Sequence, residues 1–210
     1  MRRPVALALG AALAAHAGAA SAVDGLEFGP RFDVRLGTGK PTNDILGGGL
    51  VASYPLGARG WRVGAALDHV PTFDIEYPLT FLGLEGPDED SEGSSTMITA
   101  FVERRYREGT AWEPFWTLGL GLNTIDVDPF TGTLDDGSAF DVRIDAGTES
   151  VIDATLGVRY RFGGAWSAFA SAILQHRFAD WTVEELESGS STSVGDYTVH
   201  GAHFGLGYRF

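Results

Sequence analysis

Four side chains in one segment of the sequence carry the groups that a serine hydrolase needs. His176 and Asp180 lie four residues apart, and Ser167 and Ser171 precede them. A hydroxyl, an imidazole and a carboxylate hydrolyse esters and amides when they are hydrogen-bonded in series. Many such sets can be drawn from a chain with many serines, and only geometry identifies a triad. These residues alone therefore do not predict an enzyme.

Charged side chains recur at alternate positions of apolar segments, which is the pattern of a β-strand with two different faces. In residues 151–162, the even positions from Ile152 to Phe162 are apolar, whereas Asp153, Arg159 and Arg161 lie on the odd positions. An alternation of period two places these two sets on opposite sides of a strand. Eight segments of this kind are predicted as strands: 26–36, 46–56, 61–70, 97–107, 113–125, 151–162, 166–180 and 197–210.

The connections between these segments alternate in length. Short connections at 57–60, 108–112 and 163–164 alternate with longer ones, of which 71–96, 126–150 and 181–196 are the longest. Short turns at one rim and long loops at the other are typical of an up-and-down membrane barrel, and each strand has about the 9–11 residues needed to cross a bilayer or somewhat more. We predict an all-β fold, an eight-stranded antiparallel up-and-down transmembrane β-barrel.

Aromatic residues concentrate near the short-turn ends of the predicted strands. Such belts form at membrane interfaces because amphipathic rings suit the headgroup level. Arg104 breaks the alternation by pointing towards lipid, close enough to this rim for its long side chain to reach headgroups. The belt contains Tyr54, Trp61, Tyr106, Trp112, Trp116, Tyr160, Phe162, Trp166, Tyr208 and Phe210.

The first 22 residues have the features of a cleaved secretory signal peptide. Arg2 and Arg3 precede a short apolar run at 5–15, and small residues at 20–22 suit a signal peptidase. We expect cleavage before Val23, which leaves residues 23–210 as one barrel domain.

Composition excludes several classes of function. The net charge of −13 argues against a nucleic-acid partner, which calls for a basic face. The sequence contains no cysteine, so neither disulfides nor thiolate chemistry are available. It also has no phosphate-binding loop, no dinucleotide fingerprint and no zinc-spaced cluster. We therefore expect no cofactor.

The last eight residues, HFGLGYRF, resemble the C-terminal assembly signal of bacterial outer-membrane proteins. The matching positions are His203, Gly205, Tyr208 and Phe210. The eight-strand pattern as a whole is similar to the small family that includes the OmpA transmembrane domain, OmpX and opacity-type proteins. This resemblance implies the outer membrane of a Gram-negative bacterium, lipid and lipopolysaccharide as surroundings, and the outer-membrane assembly machinery as a partner. With strand eight at the end of the sequence, no peptidoglycan-binding domain is expected.

Phe210→Asp should block insertion, because it removes the terminal ring and places a charge at the lipid interface. The measurement is the amount of heat-modifiable folded protein in outer-membrane fractions. A normal amount in the variant would contradict the assignment of this signal.

If one face of each strand meets lipid, the other fills the barrel interior, which is just wide enough for side chains in an eight-stranded barrel. Buried charges must then pair. We predict a lumen charge network that plugs the barrel, with a gated polar path as the alternative. Its members are Glu27, Arg31, Asp33, Arg35, Arg62, Asp68, Glu103, Arg105, Arg107, Glu113, Asp153, Arg159, Arg161, Arg177 and Arg209.

The long connections are acidic and are predicted as solvated loops. The segment DVDPFTGTLDDG brings together Asp126, Asp128, Asp135 and Asp136, but it lacks the order and the closing glutamate of an EF-hand. Divalent cations that bind weakly, alone or by bridging lipopolysaccharide phosphates, are the alternative, and they should protect these loops from proteases.

Three functions are compatible with this sequence. The leading hypothesis is a non-enzymatic barrel that serves envelope integrity or surface interaction. A narrow channel for ions or small solutes is the first alternative. A lipid A-modifying hydrolase is the second, although the residue two after His176 is Phe178, where a deacylase of the same barrel size has its serine.

Overall fold

The computed structural model describes residues 24–37, 45–57, 59–77, 89–134 and 137–210. Within these ranges, no helix is long and apolar enough to cross a membrane. The strands are β1 (Glu27–Gly37), β2 (Ile45–Pro55), β3 (Trp61–Tyr77), β4 (Glu89–Arg105), β5 (Trp112–Val127), β6 (Phe130–Thr133), β7 (Ala139–Asp145), β8 (Thr148–Phe162), β9 (Trp166–Phe178), β10 (Trp181–Glu185), β11 (Ser191–Val194) and β12 (Tyr197–Arg209).

Eight of these strands close into a barrel in the order β1-β12-β9-β8-β5-β4-β3-β2. The first and last strands close it by antiparallel pairing, from Glu27 opposite Arg209 to Gly37 opposite Val199. Closure satisfies the backbone hydrogen bonds of every strand without leaving an edge, as a hydrocarbon environment requires. The predicted eight-stranded antiparallel barrel is confirmed.

The predicted strand faces are visible in β8. Ile152, Leu156 and Tyr160 point outward and are exposed, whereas Val151 and Asp153 are buried inside. Leu156, at 69% exposure, is among the most exposed apolar residues of the barrel wall. An apolar exterior around a charged interior is the arrangement that a bilayer stabilises.

Leu156→Arg should lower the free energy of unfolding in lipid by roughly 2–4 kcal/mol, if the position lies near the bilayer midplane. Thr155→Ser, its inward neighbour, should have a much smaller effect because serine keeps the hydroxyl that donates to Asp153 Oδ1 at 3.1 Å. Denaturant unfolding of both variants in vesicles is the measurement. Equal losses would show that these two residues do not face opposite environments.

Three short turns lie together at one rim of the barrel. The turn between β8 and β9 contains Gly163 and Gly164, whose φ angles of 67° and 72° favour glycine. The turn between β4 and β5 contains Arg107, which is exposed and has a φ of 54°. The prediction that Arg107 belongs to the lumen is wrong, because β4 ends at Arg105 and the alternation ends with the strand.

The other four strands form a second sheet at the opposite rim, in the order β11-β10-β7-β6. We call this sheet the cap. It unites two long connections, because β7 pairs with β10. In this pairing, Val183 lies opposite Ile144. Both connections are predicted from the sequence as solvated loops, because the acids between their apolar residues obscure the short apolar alternation.

The cap has an apolar core that it shares with the barrel mouth. Val142, Trp181 and Val183 are completely buried in it. Trp181 packs edge-to-face on Tyr197 of β12, with ring centroids 5.8 Å apart. The buried members of this core are Val70, Phe73, Ile125, Val127, Phe140, Val142, Ile144, Ala146, Ala179, Trp181, Val183, Tyr197 and Val199.

Candidate functional site

The barrel interior holds most of the charged side chains that the sequence analysis assigned to it. Two of them, Arg161 and Arg209, are partly open to solvent at the short-turn rim. The others are buried: Glu27, Arg31, Asp33, Arg35, Arg62, Asp68, Glu103, Arg105, Glu113, Asp153, Arg159 and Arg177.

Glu27 of β1 is surrounded by arginines from three other strands. Its Oε2 lies 2.7 Å from Arg105 Nη1, and its Oε1 contacts Arg159. Arg209 and Arg161 approach the same carboxylate at 3.9 and 4.0 Å. One buried anion thus links β1, β4, β8 and β12 across the lumen.

Two further acids extend the network towards the short turns. Glu113 Oε1 accepts from Arg161 Nε at 2.5 Å and from the backbone N–H of Gly109 at 2.7 Å. Glu108, which the sequence analysis did not assign, lies 3.1 Å from Arg209 and 3.5 Å from Arg62. It escaped notice because it belongs to a turn and not to an alternating strand.

The middle of the lumen holds two smaller clusters. Arg31 Nε donates to Asp68 Oδ1 at 2.5 Å. Asp33 contacts Arg35 and lies 3.3 Å from His203 Nε2. The structure therefore places the imidazole of the predicted assembly signal inside the barrel.

The other positions of that signal lie near the point where the barrel closes. Gly205 is opposite Arg31, and Tyr208 is opposite Phe28. The Phe210 N–H donates to the Leu26 carbonyl at 2.9 Å. The rings of Tyr208 and Phe210 meet 5.0 Å apart on the outside.

Glu149 joins the barrel to the cap. Its carboxylate accepts hydrogen bonds from Trp181 Nε1 at 2.8 Å, Tyr197 Oη at 2.9 Å and Asn123 Nδ2 at 3.1 Å. Arg177 adds an ion pair at 3.5 Å. Glu149 lies in a predicted loop, although the alternation of β8, followed back by twos from Asp153, places it on the inner face.

Small cavities lie between these side chains. Within the described part of the barrel, two interior cavities have volumes of about 10 and 30 Å³. A cavity needs at least roughly 10–15 Å³ to hold one water molecule. The lumen therefore has room for isolated waters between its ion pairs.

The family described as outer membrane protein beta-barrel domain matches residues 5–210. The chain belongs to this family. The protein is accordingly an outer membrane β-barrel of a bacterium. A comparison with curated protein sequences gave no significant match.

Solved structures of other outer membrane β-barrels share the fold. Neisserial surface protein A matches at 13% identity over 88% of this chain and 96% of its own, with a TM-score of 0.52. OprG from Pseudomonas aeruginosa matches at 16% identity over 89% and 96%, with a TM-score of 0.55.

An open cleft of about 580 Å³ lies between the cap and the end of β5 in this outer membrane β-barrel. Its polar lining comes mainly from Asp126, Asp128, Asp141, Arg143 and Asp145. In the described residues, no group of three or more acids, histidines or cysteines could hold a metal ion. Asp135 and Asp136 lie outside the described residues, so the cation hypothesis stays a prediction.

The possible hydrolase residues of the barrel lie on opposite sides of its wall. Ser167 and Ser171 are buried on the inner side of β9. His176 lies on the outer side, 3.3 Å from Thr198 Oγ1 and packed on the Phe178 ring. The structure therefore does not bring the imidazole and these serine hydroxyls together.

Glu185 stabilises the turn of the cap between β10 and β11. Its carboxylate accepts from the backbone N–H groups of Ser188 at 2.5 Å and Glu187 at 3.0 Å. The hydrogen bonds from Ser188 hold its pKa below the usual 4.5, against a smaller upward effect of burial. Because the pKa is lowered on folding, the contribution of the Glu185 carboxylate to stability is complete above pH 4.5. It is lost as the pH falls through the pKa of the folded state.

We expect the Glu185 carboxyl carbon to titrate below pH 4.5 in an NMR titration in nanodiscs. The amide signals of Glu187 and Ser188 should shift with the same midpoint, because protonation weakens the hydrogen bonds that these two N–H groups donate to the carboxylate. Glu185→Gln should abolish this shared transition. A midpoint at or above pH 4.5 would show that the hydrogen bonds of the turn do not lower the pKa of Glu185.

Proposed function

We propose that this protein is a closed, non-enzymatic barrel in the outer membrane of a Gram-negative bacterium, serving envelope integrity or surface interaction. The observation that carries the proposal is the combination of a lumen filled by ion pairs with a cap anchored on the barrel mouth. Short turns of such barrels face the periplasm and longer connections face outward. In this orientation the cap is the surface that the protein presents to the exterior.

The anchoring of the cap supports a role as a fixed contact surface. Its inner side is held by the apolar core and by Glu149, which bonds to Trp181 of the cap and to Tyr197 of the barrel. A surface ordered before binding loses less conformational entropy when it binds a partner. A flexible acidic loop would lack this advantage.

Single-channel recording in planar bilayers tests the closed lumen against the channel alternative. The wild-type protein should stay at the baseline conductance of the lipid. Stable conductance steps would overturn the proposal in favour of a narrow channel. Mass spectra of lipid A from cells with and without the protein test the hydrolase alternative, and a loss or gain of an acyl chain would refute a non-enzymatic barrel.

A capless variant distinguishes the two proposed roles. In it, residues 128–147 and 181–195 are replaced by short glycine-serine linkers, which leaves the barrel strands unchanged. The measurement is detergent sensitivity of a deletion strain that expresses either the wild type or this variant. Rescue by both shows that the barrel without its cap maintains envelope integrity, whereas rescue by the wild type alone assigns envelope integrity to the cap. No sensitivity in the deletion strain would remove the envelope role.

A further inference from the structure

Arg104 occupies an unusual place on the outer surface of the barrel. Among the described outward-facing positions of the eight barrel strands, it is the only arginine or lysine. Its partners on the neighbouring strands are two tryptophans, Trp61 on β3 and Trp116 on β5. A cation therefore lies between two rings of the aromatic belt at the short-turn rim.

The aromatic side chains hold this guanidinium in position. Its carbon lies 5.3 Å from the Trp61 ring centroid and 5.4 Å from that of Tyr106, within the range of cation–π attraction. Trp116 packs edge-to-face on Trp61 at 5.7 Å, and its Nε1 donates to Tyr106 Oη at 3.3 Å. We call these four residues, Trp61, Arg104, Tyr106 and Trp116, the rim cluster.

The charge of Arg104 has no anionic partner in the described part of the protein. Its Nη1 donates to the Arg59 carbonyl, which leaves four of the five guanidinium N–H groups for other acceptors. The arginines inside the barrel differ, because Arg105 and Arg159 contact the Glu27 carboxylate. On a lipid-facing wall, an arginine extends to the headgroup level to keep its charge solvated.

We propose that the rim cluster binds the phosphate group of a phospholipid in the membrane leaflet at the short-turn rim. The planar guanidinium matches two phosphate oxygens, and charge-assisted hydrogen bonds of this kind are strong. The indole rings lie where aromatic belts meet the headgroups, so they contact the glycerol and the upper acyl chains. The net charge of −13 makes general attraction of anionic lipid to this protein unfavourable, so a single ordered site must supply the binding.

Native mass spectrometry of the detergent-solubilised protein with phosphatidylglycerol tests the site. Arg104→Gln should weaken retention of the first bound lipid about tenfold, which corresponds to the loss of one charge-assisted interaction. Arg107→Gln is the matched control, because it removes the same charge from an exposed turn of the same rim. Arg104→Lys keeps the charge without the planar fork and should retain an intermediate affinity.

The structural role of Arg104 at the Arg59 turn is separated from lipid binding by unfolding each variant in detergent without phospholipid. Equal weakening by Arg104→Gln and Arg107→Gln would show general electrostatic attraction and overturn the site. Retention of diacylglycerol as strong as that of phosphatidylglycerol would show that phosphate is not recognised. Displacement of the lipid by inorganic phosphate at equal concentration would refute the lipid as the preferred source. If Arg104→Gln does not fold, unchanged retention by Arg104→Lys and by Trp61→Ala would be decisive against the proposal.

Discussion

Glu27→Gln should lower the free energy of unfolding in lipid by about 3–5 kcal/mol, the typical effect of removing one partner from a buried ion pair. Glutamine keeps the size of the side chain and removes only its charge. Arg159 would then lie in the lumen without the carboxylate that it contacts, and Arg105 would lose one of the carboxylates that it contacts, keeping Glu103. Denaturant titration in vesicles, followed by tryptophan fluorescence and gel mobility, measures the change.

Glu108→Gln provides the matched control at the same rim. Glu108 also pairs with two arginines, but its side chain is 27% exposed. Because water screens exposed pairs, we expect a loss within about 1 kcal/mol. Equal stability of Glu27→Gln and the wild type would mean that water already solvates the buried guanidiniums. A hydrated lumen of that kind would favour the channel alternative.

Trp181→Ala should release the cap while the barrel stays closed. Truncation of a buried tryptophan typically removes about 3–5 kcal/mol. Trp181 is completely buried, and its Nε1 donates to Glu149. Amide hydrogen exchange in β7 and β10 should therefore accelerate by at least roughly a hundredfold if it follows opening of the cap. Exchange in β8 and β9 should change little.

Trp166→Ala is the control for this prediction. Trp166 has the same side chain, but it lies in the opposite rim at 47% exposure and packs on Tyr208. Its replacement should leave exchange in the cap unaltered. Slow exchange in the cap of Trp181→Ala would indicate that the pairing of β7 with β10 holds the cap without the shared core.

The barrel could be predicted from the sequence because lipid imposes one rule on every spanning strand. Side chains that face the hydrocarbon must be apolar, so residues 151–162 and the other segments show a period of two that glycines and acids do not disrupt. The rule ends at the membrane surface. Beyond that surface the sequence does not mark where a strand ends. β3 therefore extends to Tyr77 and β4 begins at Glu89, both outside the predicted bounds. At the other rim, the alternation does not hold at Arg107, because β4 ends at Arg105.

The cap and its junction were missed for a different physical reason. Its strands have four to seven residues, and water is available to both their backbone and their acidic side chains. Short alternation such as Phe140, Val142 and Ile144 does not distinguish a packed strand from a solvated loop without knowledge of what covers it. Glu149 was assigned to a loop for the same reason. The partners of each lumen charge were also beyond prediction, since they depend on which strands face each other across the interior.

Because β7 pairs with β10, two distant stretches of the sequence form one structural unit and have to be inherited together. If recombination between related barrels exchanged only one of the long connections, the remaining half of the cap would display an unpaired strand edge and its valines to water. Such chimaeras should aggregate or be degraded, whereas those that receive both connections together should persist. The two connections that form the cap are therefore expected to diversify together, and display of foreign peptides should succeed at the tips of the hairpins and fail when one hairpin is replaced.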